Sequence, residues 1–315
     1  MPPPSLAHAL RSAAVRAQIS RATGRRASVA AILCPGRHAD AAGGSGADPD
    51  EKILFIKRAS HAHDPWSGHV AFPGGRAHAG EDDEATAVRE TLEEVGLNLA
   101  DHACWQRLGR VCEDRTLYPR GRELTISLFG WVAREGVDAT EMALTLQRKE
   151  VSAAWWVNVS ALSPSQLEWQ QMPVGEVIAP LRRRPRLAHA LGLESVNVAS
   201  IVLPPPTPIQ IESELGELEG AGGGLGHTCL WGLTLAFCSE MLARAGRRAL
   251  VGESAAVRGF RRPYRSSNLV ADACLALGLR ARWWRAKVAP IPLESVLVAL
   301  TGSACMMLSY VVLLR

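Results

Sequence analysis

The chain is poor in several features that mark particular protein classes. Aromatic residues make up only 5% of its 315 residues, and its seven cysteines are scattered, odd in number and free of any Cys-x-x-Cys pair. A disulfide framework or a zinc site is therefore not expected. The protein is expected in a reducing compartment. With 47% apolar and 21% charged residues, the composition also excludes a collagen-like or a disordered chain.

The body of the protein has no net positive charge, and the excess of basic residues is concentrated in its C-terminal part. Residues 246–315 hold 11 Lys/Arg against 3 Asp/Glu, whereas the formal net charge of the whole chain is only +4. The remainder is mildly acidic, which speaks against a nucleic-acid-binding body, and no nucleic acid is expected as a partner.

Residues 295–314 form a run of 20 residues without a formal charge. At ~1.5 Å per residue, such a helix would match the thickness of a bilayer core, so a single transmembrane helix is predicted. A buried core helix is the alternative. The basic segment 247–294, with Trp283 and Trp284, predicts that the preceding chain stays in the cytosol. The protein would then be tail-anchored in a membrane, and the mitochondrion and the peroxisome are both open as its location.

The N-terminal segment, residues 1–24, permits two interpretations. It contains arginines and no acidic residue, as a mitochondrial transit peptide does. Alternatively, Leu6, Leu10, Ala14 and Ala17 line one face of an amphipathic helix that leads into the first strand. The helix is the preferred interpretation.

Strand and helix signals alternate between these two ends. A helix over 84–96 is predicted to end at Gly96, and a second one over 230–246 at Gly246. Strands are predicted at 27–34, 52–58, 124–133, 153–162 and 196–204. The stretch 203–226, rich in Pro, Gly and Glu, is predicted to be a surface insertion. The pattern indicates an α/β or α+β sandwich over residues 25–246.

Three carboxylates share one face of the first of these helices. Glu90, Glu93 and Glu94 are three and four residues apart, so their charges repel unless cations lie among them. Oxygen ligands favour Mg²⁺ or Mn²⁺. Arg89, four residues before Glu93, could orient that carboxylate. A solvated acidic face remains the alternative for this cluster alone.

The cluster belongs to a longer motif that resembles the Nudix box. All seven fixed positions of the box agree: Gly75, Glu81, Arg89, Glu90, Glu93, Glu94 and Gly96. Thr91 departs from the pattern, because it stands where the box has a bulky apolar residue. The resemblance implies an α/β/α sandwich with a mixed sheet that hydrolyses a nucleoside diphosphate linked to another moiety. Glu90, Glu93 and Glu94 would be metal ligands, Glu81 would support a water on the metal, and the Gly75 carbonyl would add an oxygen.

The chemistry that the resemblance implies is attack of water on phosphorus, assisted by Mg²⁺ or Mn²⁺. The catalytic residues would be Glu93, Glu94 and Arg89. The box does not identify the general base, and Glu150, just before the strand at 153–162, is a candidate. A polar residue at a strand end is the alternative for Glu150.

The sequence before the box resembles the coenzyme A diphosphatase branch of the same superfamily. Its extended motif ends in Phe72-Pro73-Gly74-Gly75, and residues 231–234 resemble the Trp-Gly-x-Thr helix start of that branch. Asp64 and Trp66 stand where the branch usually has Arg and His. The expected substrate is a small-molecule nucleotide diphosphate, with coenzyme A or an acyl derivative favoured. The substrate-binding residues would be Arg58, Gly68, His69, Phe72 and Gly74.

Two further clusters, the partners and the rival functions complete the sequence-based predictions. Four arginines at 182–186 are interpreted as a solvated basic turn or as a contact to phosphate. His61, His63 and His69 match no standard zinc-ligand spacing and are interpreted as loop residues.

A homodimer is left open. The first rival function is a Nudix hydrolase of ADP-ribose, a dinucleotide polyphosphate or another conjugate. The second is a non-catalytic nucleotide-binding or scaffold module.

Overall fold

A computed structural model of the chain describes its central part and several shorter stretches. The described residues are 5–12, 24–36, 51–61, 64, 66–117, 123–177, 188–189, 194–205, 228–251 and 264–266. The chain divides into two compact units, the first made of Met1–Gln170 and Ala199–Arg261, the second of Gln171–Val198 and Arg262–Arg315.

The secondary structure alternates strands and helices, as the sequence predicts. The helices are α1 Leu6–Ser12, α2 Asp83–Val95, α3 Val174–Val177 and α4 Gly232–Arg244. The strands are β1 Arg25–Cys34, β2 Lys52–Arg58, β3 Val70–Ala71, β4 Gly74–Arg76, β5 Trp105–Arg110, β6 Arg115–Leu117, β7 Leu124–Ala133, β8 Val151–Asn158, β9 Leu167–Pro173, β10 Ser195–Val202, β11 Cys229–Trp231 and β12 Tyr264–Ser266. Single 3₁₀ turns span Ala139–Glu141, Val159–Ala161 and Pro164–Gln166.

A mixed sheet of eight strands forms the centre of the first unit. Strands β3, β2, β1, β7 and β5 follow one another across it, while β4 also pairs with β1, β6 with β7, and β8 with β2. Strands β1 and β7 run parallel, with Val29 opposite Leu128, and the other pairs in this sheet are antiparallel. This confirms the predicted α/β fold with a mixed sheet.

Helices cover both faces of the sheet. Helix α2 packs Ala87 and Val95 against one face, where Ile32 and Leu54 are fully buried. Helices α1 and α4 pack on the other face against a second cluster that includes Phe55 and Trp155. Strand residues alternate between these two clusters because successive side chains of a strand point to opposite faces.

Helix α2 has a capping residue at each end. The Asp82 carboxylate accepts hydrogen bonds from the N–H groups of the first turn, and Gly96 ends the helix in the left-handed conformation, with φ of 77°. Thr91, the departure from the box, is buried and donates its hydroxyl to the Ala87 carbonyl at 2.7 Å. A small polar residue is tolerated there because its one donor is satisfied inside the helix.

The N-terminal helix predicted from Leu6 and Leu10 is present as α1. Both leucines are buried in the cluster shared with α4. The N–H groups of Leu6 and Ala7 donate to the carboxylate of Glu51, which is fully buried, at 2.8 and 2.7 Å. These contacts make α1 part of the folded unit; the predicted apolar positions 14 and 17 lie outside the described residues.

Several predicted elements differ from the structure at their ends. The strand expected over 153–162 ends at Asn158 and continues as a 3₁₀ turn, and the one over 196–204 ends at Val202. The helix expected from residue 230 begins at Gly232, because Trp231 is still extended and Gly232 is left-handed, with φ of 63°. Glycine reaches that conformation without a steric penalty, so the chain turns there from strand to helix.

Several predicted segments lie outside the described residues. They include the proposed membrane span at 295–314, nearly all of the basic segment 247–294, the arginine run at 182–186 and most of the insertion at 203–226. Within the described part of the chain, no helix has the length and apolar character needed to cross a membrane. In the second unit, Val196–Val198 of β10 pairs with Tyr264–Ser266.

Candidate active site

Three carboxylates meet at the edge of the first unit where α2 approaches the start of β8. Glu90, Glu94 and Glu150 each place an oxygen within 4.8 Å of the other two. Glu90 and Glu94 share one face of α2 because they are four residues apart, and Glu150 arrives from the turn that precedes β8. The candidate from outside the box thus lies beside two carboxylates of the box. We call these three residues the carboxylate cluster.

Two glycines allow the chain to approach the carboxylate cluster closely. The N–H of Gly74 donates to Oε2 of Glu94 at 2.8 Å. A Cβ atom on Gly75 would lie 2.5 Å from the Glu90 carboxylate, and one on Gly74 would lie 2.2 Å from the backbone of β1. Side chains are therefore excluded at both positions by contact, and at Gly74 also by its φ of 143°.

Burial and mutual repulsion disfavour the charged forms of Glu94 and Glu90 in the carboxylate cluster. Burial raises the pKa of Glu94 to about 8, and the neighbouring Glu90 and Glu150 push it in the same direction. Burial also raises the pKa of Glu90. Among the described residues, no lysine or arginine lies within 4.0 Å of the Glu94 carboxylate. Oxygen donors with a shared negative charge fit a hard divalent cation such as Mg²⁺ or Mn²⁺.

Arg89 connects three carboxylates of the box. Its guanidinium donates to Glu81 at 2.7 and 3.0 Å, to Glu90 at 3.0 Å and to Glu93 at 2.9 Å. The hydrogen bonds from Arg89 are the main reason that the pKa of Glu81 falls to about 2, and the same contacts raise the pKa of Arg89. Arg89 therefore holds the acidic residues around α2 in fixed positions.

The predicted ligands occupy two different environments. Glu90 and Glu94 belong to the carboxylate cluster, whereas Glu81 accepts hydrogen bonds from Arg89, Thr86 and the N–H of His78. The Glu93 side chain is 48% exposed and is ion-paired with Arg89. The ligand roles predicted for Glu81, Glu93 and the Gly75 carbonyl, and the catalytic roles of Glu93 and Arg89, stay predictions.

Arg58 reaches the site from the end of β2, at a β-bulge. Lys57 faces Ala153 and Arg58 faces Val151, so Ser152 is the extra residue on β8. The Ser152 hydroxyl donates to the Lys57 carbonyl at 3.1 Å. A bulge turns the side chains beside it, and here it brings Arg58 and the residue before Val151 to the same edge.

The predicted substrate-binding residues after Arg58 have different surroundings. Gly68 is left-handed, with φ of 72°, which allows a tight turn. The His69 ring contacts the ring of Trp231 edge-on, with 4.6 Å between centroids. Phe72 is only 2% exposed and stacks on Phe55 at 5.2 Å, so it has a packing role. Its predicted contact with substrate stays a prediction.

The start of α4 is attached to the loop before the box. Besides the contact between Trp231 and His69, the Thr234 hydroxyl donates to the Val70 carbonyl at 3.3 Å. The Trp-Gly-x-Thr segment, recognised from its sequence alone, thus has a structural task. It holds strand β3 and the residues that lead to Gly74 and Gly75 against the start of α4.

Sequence reasoning missed the partner of Arg58. The guanidinium Nη2 donates to Oδ2 of Asp64 at 2.8 Å, whereas Asp64 entered the sequence analysis only as a departure from a family pattern. Strand β2 ends at Arg58, so strand periodicity does not predict a contact with Asp64. An acidic residue where a basic one is usual was the signal that pointed to this position.

Comparison with known proteins agrees with this architecture. Residues 37–177 match the family model for the NUDIX domain. This stretch of the chain is therefore similar to NUDIX domains. This stretch includes the whole box and all three residues of the carboxylate cluster.

Two curated proteins are similar to short segments of the chain. An uncharacterized protein of Schizosaccharomyces pombe is 51% identical over 53 residues, which are 16% of this chain and 16% of that protein. Nudix hydrolase 3 of Caenorhabditis elegans is 41% identical over 64 residues, which are 20% of this chain and 26% of that protein. The chain thus spans about a quarter or less of the length of these relatives.

Solved structures also resemble the chain in part. One is the NUDIX domain of Shewanella oneidensis NrtR in complex with ADP ribose, which is 17% identical and has a TM-score of 0.31. The match covers 51% of this chain and 87% of that one. The family-model match and the relative named as a Nudix hydrolase agree with the predicted enzyme class, a hydrolase that acts on pyrophosphate bonds.

Proposed function

We propose that the chain is a hydrolase that depends on a divalent cation and cleaves the diphosphate of a nucleotide conjugate. The observation that carries this proposal is the carboxylate cluster, in which Glu94 is buried without a cationic partner within the described part of the chain. Burying a carboxylate costs several kcal/mol unless a cation compensates its charge. A divalent cation would supply that positive charge. The similarity of residues 37–177 to NUDIX domains supports the requirement for such a cation.

The residues around the carboxylate cluster divide the chemical work. Glu90 and Glu94 would hold the ion, which neutralises negative charge on the diphosphate and acidifies water. Glu150 is the exposed member of the cluster, so its carboxylate has access to the attacking water and is our candidate for the general base. Arg58 would contact the phosphate oxygens of the substrate with the guanidinium donors that are not bonded to Asp64.

For the substrate, we propose coenzyme A or an acyl derivative. The motif that ends in Phe-Pro-Gly-Gly and the Trp-Gly-x-Thr segment support this choice, and the contact between His69 and Trp231 joins the two. The products would be 3′,5′-ADP and a 4′-phosphopantetheine species.

A second candidate is favoured by the residues that depart from the coenzyme A motif. Asp64 and Trp66 occupy positions where that motif has basic residues, and Asp64 carries a negative charge paired with Arg58. Less positive charge at this edge suits a conjugate without an additional phosphate, such as ADP-ribose or a dinucleotide polyphosphate.

Turnover of defined substrates tests these proposals. The full chain is incubated with Mg²⁺ or Mn²⁺ and with coenzyme A, ADP-ribose or a dinucleotide polyphosphate, and the nucleotide products are separated. Glu94→Gln should abolish turnover, whereas Glu135→Gln, on an exposed turn after β7, should retain it. Release of 3′,5′-ADP supports the first substrate, and turnover of the other conjugates alone supports the second candidate. A folded protein that hydrolyses none of them would favour the non-catalytic binding module.

A further inference from the structure

Arg58 lies beside the carboxylate cluster, but its guanidinium is not paired with it. The N–H of the next residue, Ala59, donates to the carbonyl of Glu150, a member of the cluster, at 2.8 Å. Within the described chain, however, the ion pair of Arg58 within 4.0 Å is with Asp64, at 2.8 Å, and not with a member of the cluster. Its Nε is buried without a hydrogen-bond partner among these residues. An arginine free to move would be attracted to three carboxylates.

Asp64 is itself held in place by the turn that it starts. Its Oδ1 accepts the N–H of Trp66 at 3.0 Å, and its carbonyl accepts the N–H of Ser67 at 3.2 Å. Burial by itself would raise the pKa of Asp64, but the hydrogen bonds from Arg58 and Trp66 and the charge of Arg58 lower it overall. Both carboxylate oxygens are thus engaged, and the group is anionic at neutral pH.

The backbone of Arg58 is fixed as well. Its N–H donates to the carbonyl of His69 at 3.0 Å, and the next N–H, that of Ala59, donates to the carbonyl of Glu150 at 2.8 Å. These two hydrogen bonds and the bulge at Ser152 fix the backbone of Arg58, so only its side chain can move. The guanidinium can pair with Asp64 or turn toward the carboxylate cluster.

We propose that Asp64 is a positioning residue that holds the Arg58 guanidinium away from the carboxylate cluster and so leaves the cluster free to bind a divalent cation. An arginine paired with Glu94 would compete with the ion for the same oxygens. The inference rests on the proposed metal site, but not on the identity of the substrate or on turnover.

Metal binding in a double-mutant cycle tests the inference without any nucleotide. The full chain, Asp64→Asn, Arg58→Gln and the double variant are titrated with Mn²⁺, and free Mn²⁺ is measured by electron paramagnetic resonance. Asp64→Asn should weaken Mn²⁺ binding by roughly 3- to 10-fold, because it releases Arg58. In the Arg58→Gln background the same change should have no effect.

The cycle separates this mechanism from a direct effect of charge. If Asp64→Asn weakens binding by the same factor in both backgrounds, Asp64 acts directly on the ion and the inference is wrong. It is equally wrong if Asp64→Asn leaves Mn²⁺ binding unchanged. Glu94→Gln tests the premise: if this variant binds Mn²⁺ as the unaltered chain does, the proposed metal site fails, and the inference fails with it.

Asp101→Asn provides a matched control. Asp101 accepts the N–H of Ala103 two residues ahead, at 2.9 Å, just as Asp64 accepts that of Trp66, but no arginine in the described chain pairs with it. It should bind Mn²⁺ like the unaltered protein. Asp64→Ser keeps an acceptor for the turn and should reproduce Asp64→Asn, and thermal unfolding of each metal-free variant confirms that it is folded.

Discussion

The stability of the metal-free protein should fall as the pH rises from about 5 to about 7.5. The cause is Glu94, which is 1% exposed and has a pKa raised from 4.5 to about 8, first of all by burial. Between these two values the folded protein holds a proton on Glu94 that the unfolded chain releases. Folding is thus favoured by this group below pH 4.5, and the contribution is lost as the pH rises toward 8.

The size of the effect follows from the shift. At about 1.4 kcal/mol per pKa unit, we expect a loss of roughly 3 kcal/mol in the free energy of unfolding between about pH 5 and about pH 7.5. The raised pKa of Glu90 acts in the same direction. Glu81, with a pKa lowered to about 2, contributes to the pH dependence only below this window.

Urea denaturation with EDTA, at a series of pH values, measures the loss. Glu94→Gln has nearly the same shape without the charge, so its stability should depend much less on pH and should exceed that of the unaltered protein near pH 7.5. Saturating Mn²⁺ should restore stability to the unaltered protein and do little for the variant. A metal-free protein as stable at about pH 7.5 as at about pH 5, or a variant with the same slope, would refute the reasoning.

Four further changes give distinct expectations. Gly75→Ala places a Cβ atom 2.5 Å from the Glu90 carboxylate, so the Mn²⁺ affinity measured by titration should fall while the fold persists. Gly74→Ala places a Cβ atom 2.2 Å from the backbone of β1, so this variant should also have a lower melting temperature. Glu51→Gln leaves one of two buried helix N–H groups without its acceptor and should cost roughly 1–3 kcal/mol in urea denaturation, and an unchanged midpoint would contradict the role of this carboxylate. Deleting 291–315 should move the protein from the membrane fraction to the soluble one; full-length protein in the soluble fraction would count against the tail anchor.

The box and its helix could be predicted from the sequence because their determinants are local. Asp82 and Gly96 cap α2 through neighbouring backbone groups, and the spacing of Glu90 and Glu94 alone places them on one face. The alternation of strands and helices gave the α/β class in the same way. The turn to helix α4 at Gly232 was misplaced by two residues, since apolar residues continue across it and periodicity does not show where an extended chain ends.

The composition of the site was decided by tertiary contacts. Glu150 joins Glu90 and Glu94 because β8 pairs with β2, and the sequence offered it only as one of two interpretations. The burial that shifts the pKa of Glu94 depends on strands distant in the sequence. Likewise, the pairing of Arg58 with Asp64 depends on a bulge and a turn, neither of which has a periodic signal.

The sequence by itself determined the residue types, the helix that presents them and the class of chemistry, because each depends on spacing within one short segment. Only the tertiary structure decided which carboxylates meet, which one is buried and which acid holds the arginine. Those properties arise between segments far apart in the chain, and their free energies depend on distance and burial rather than on sequence order.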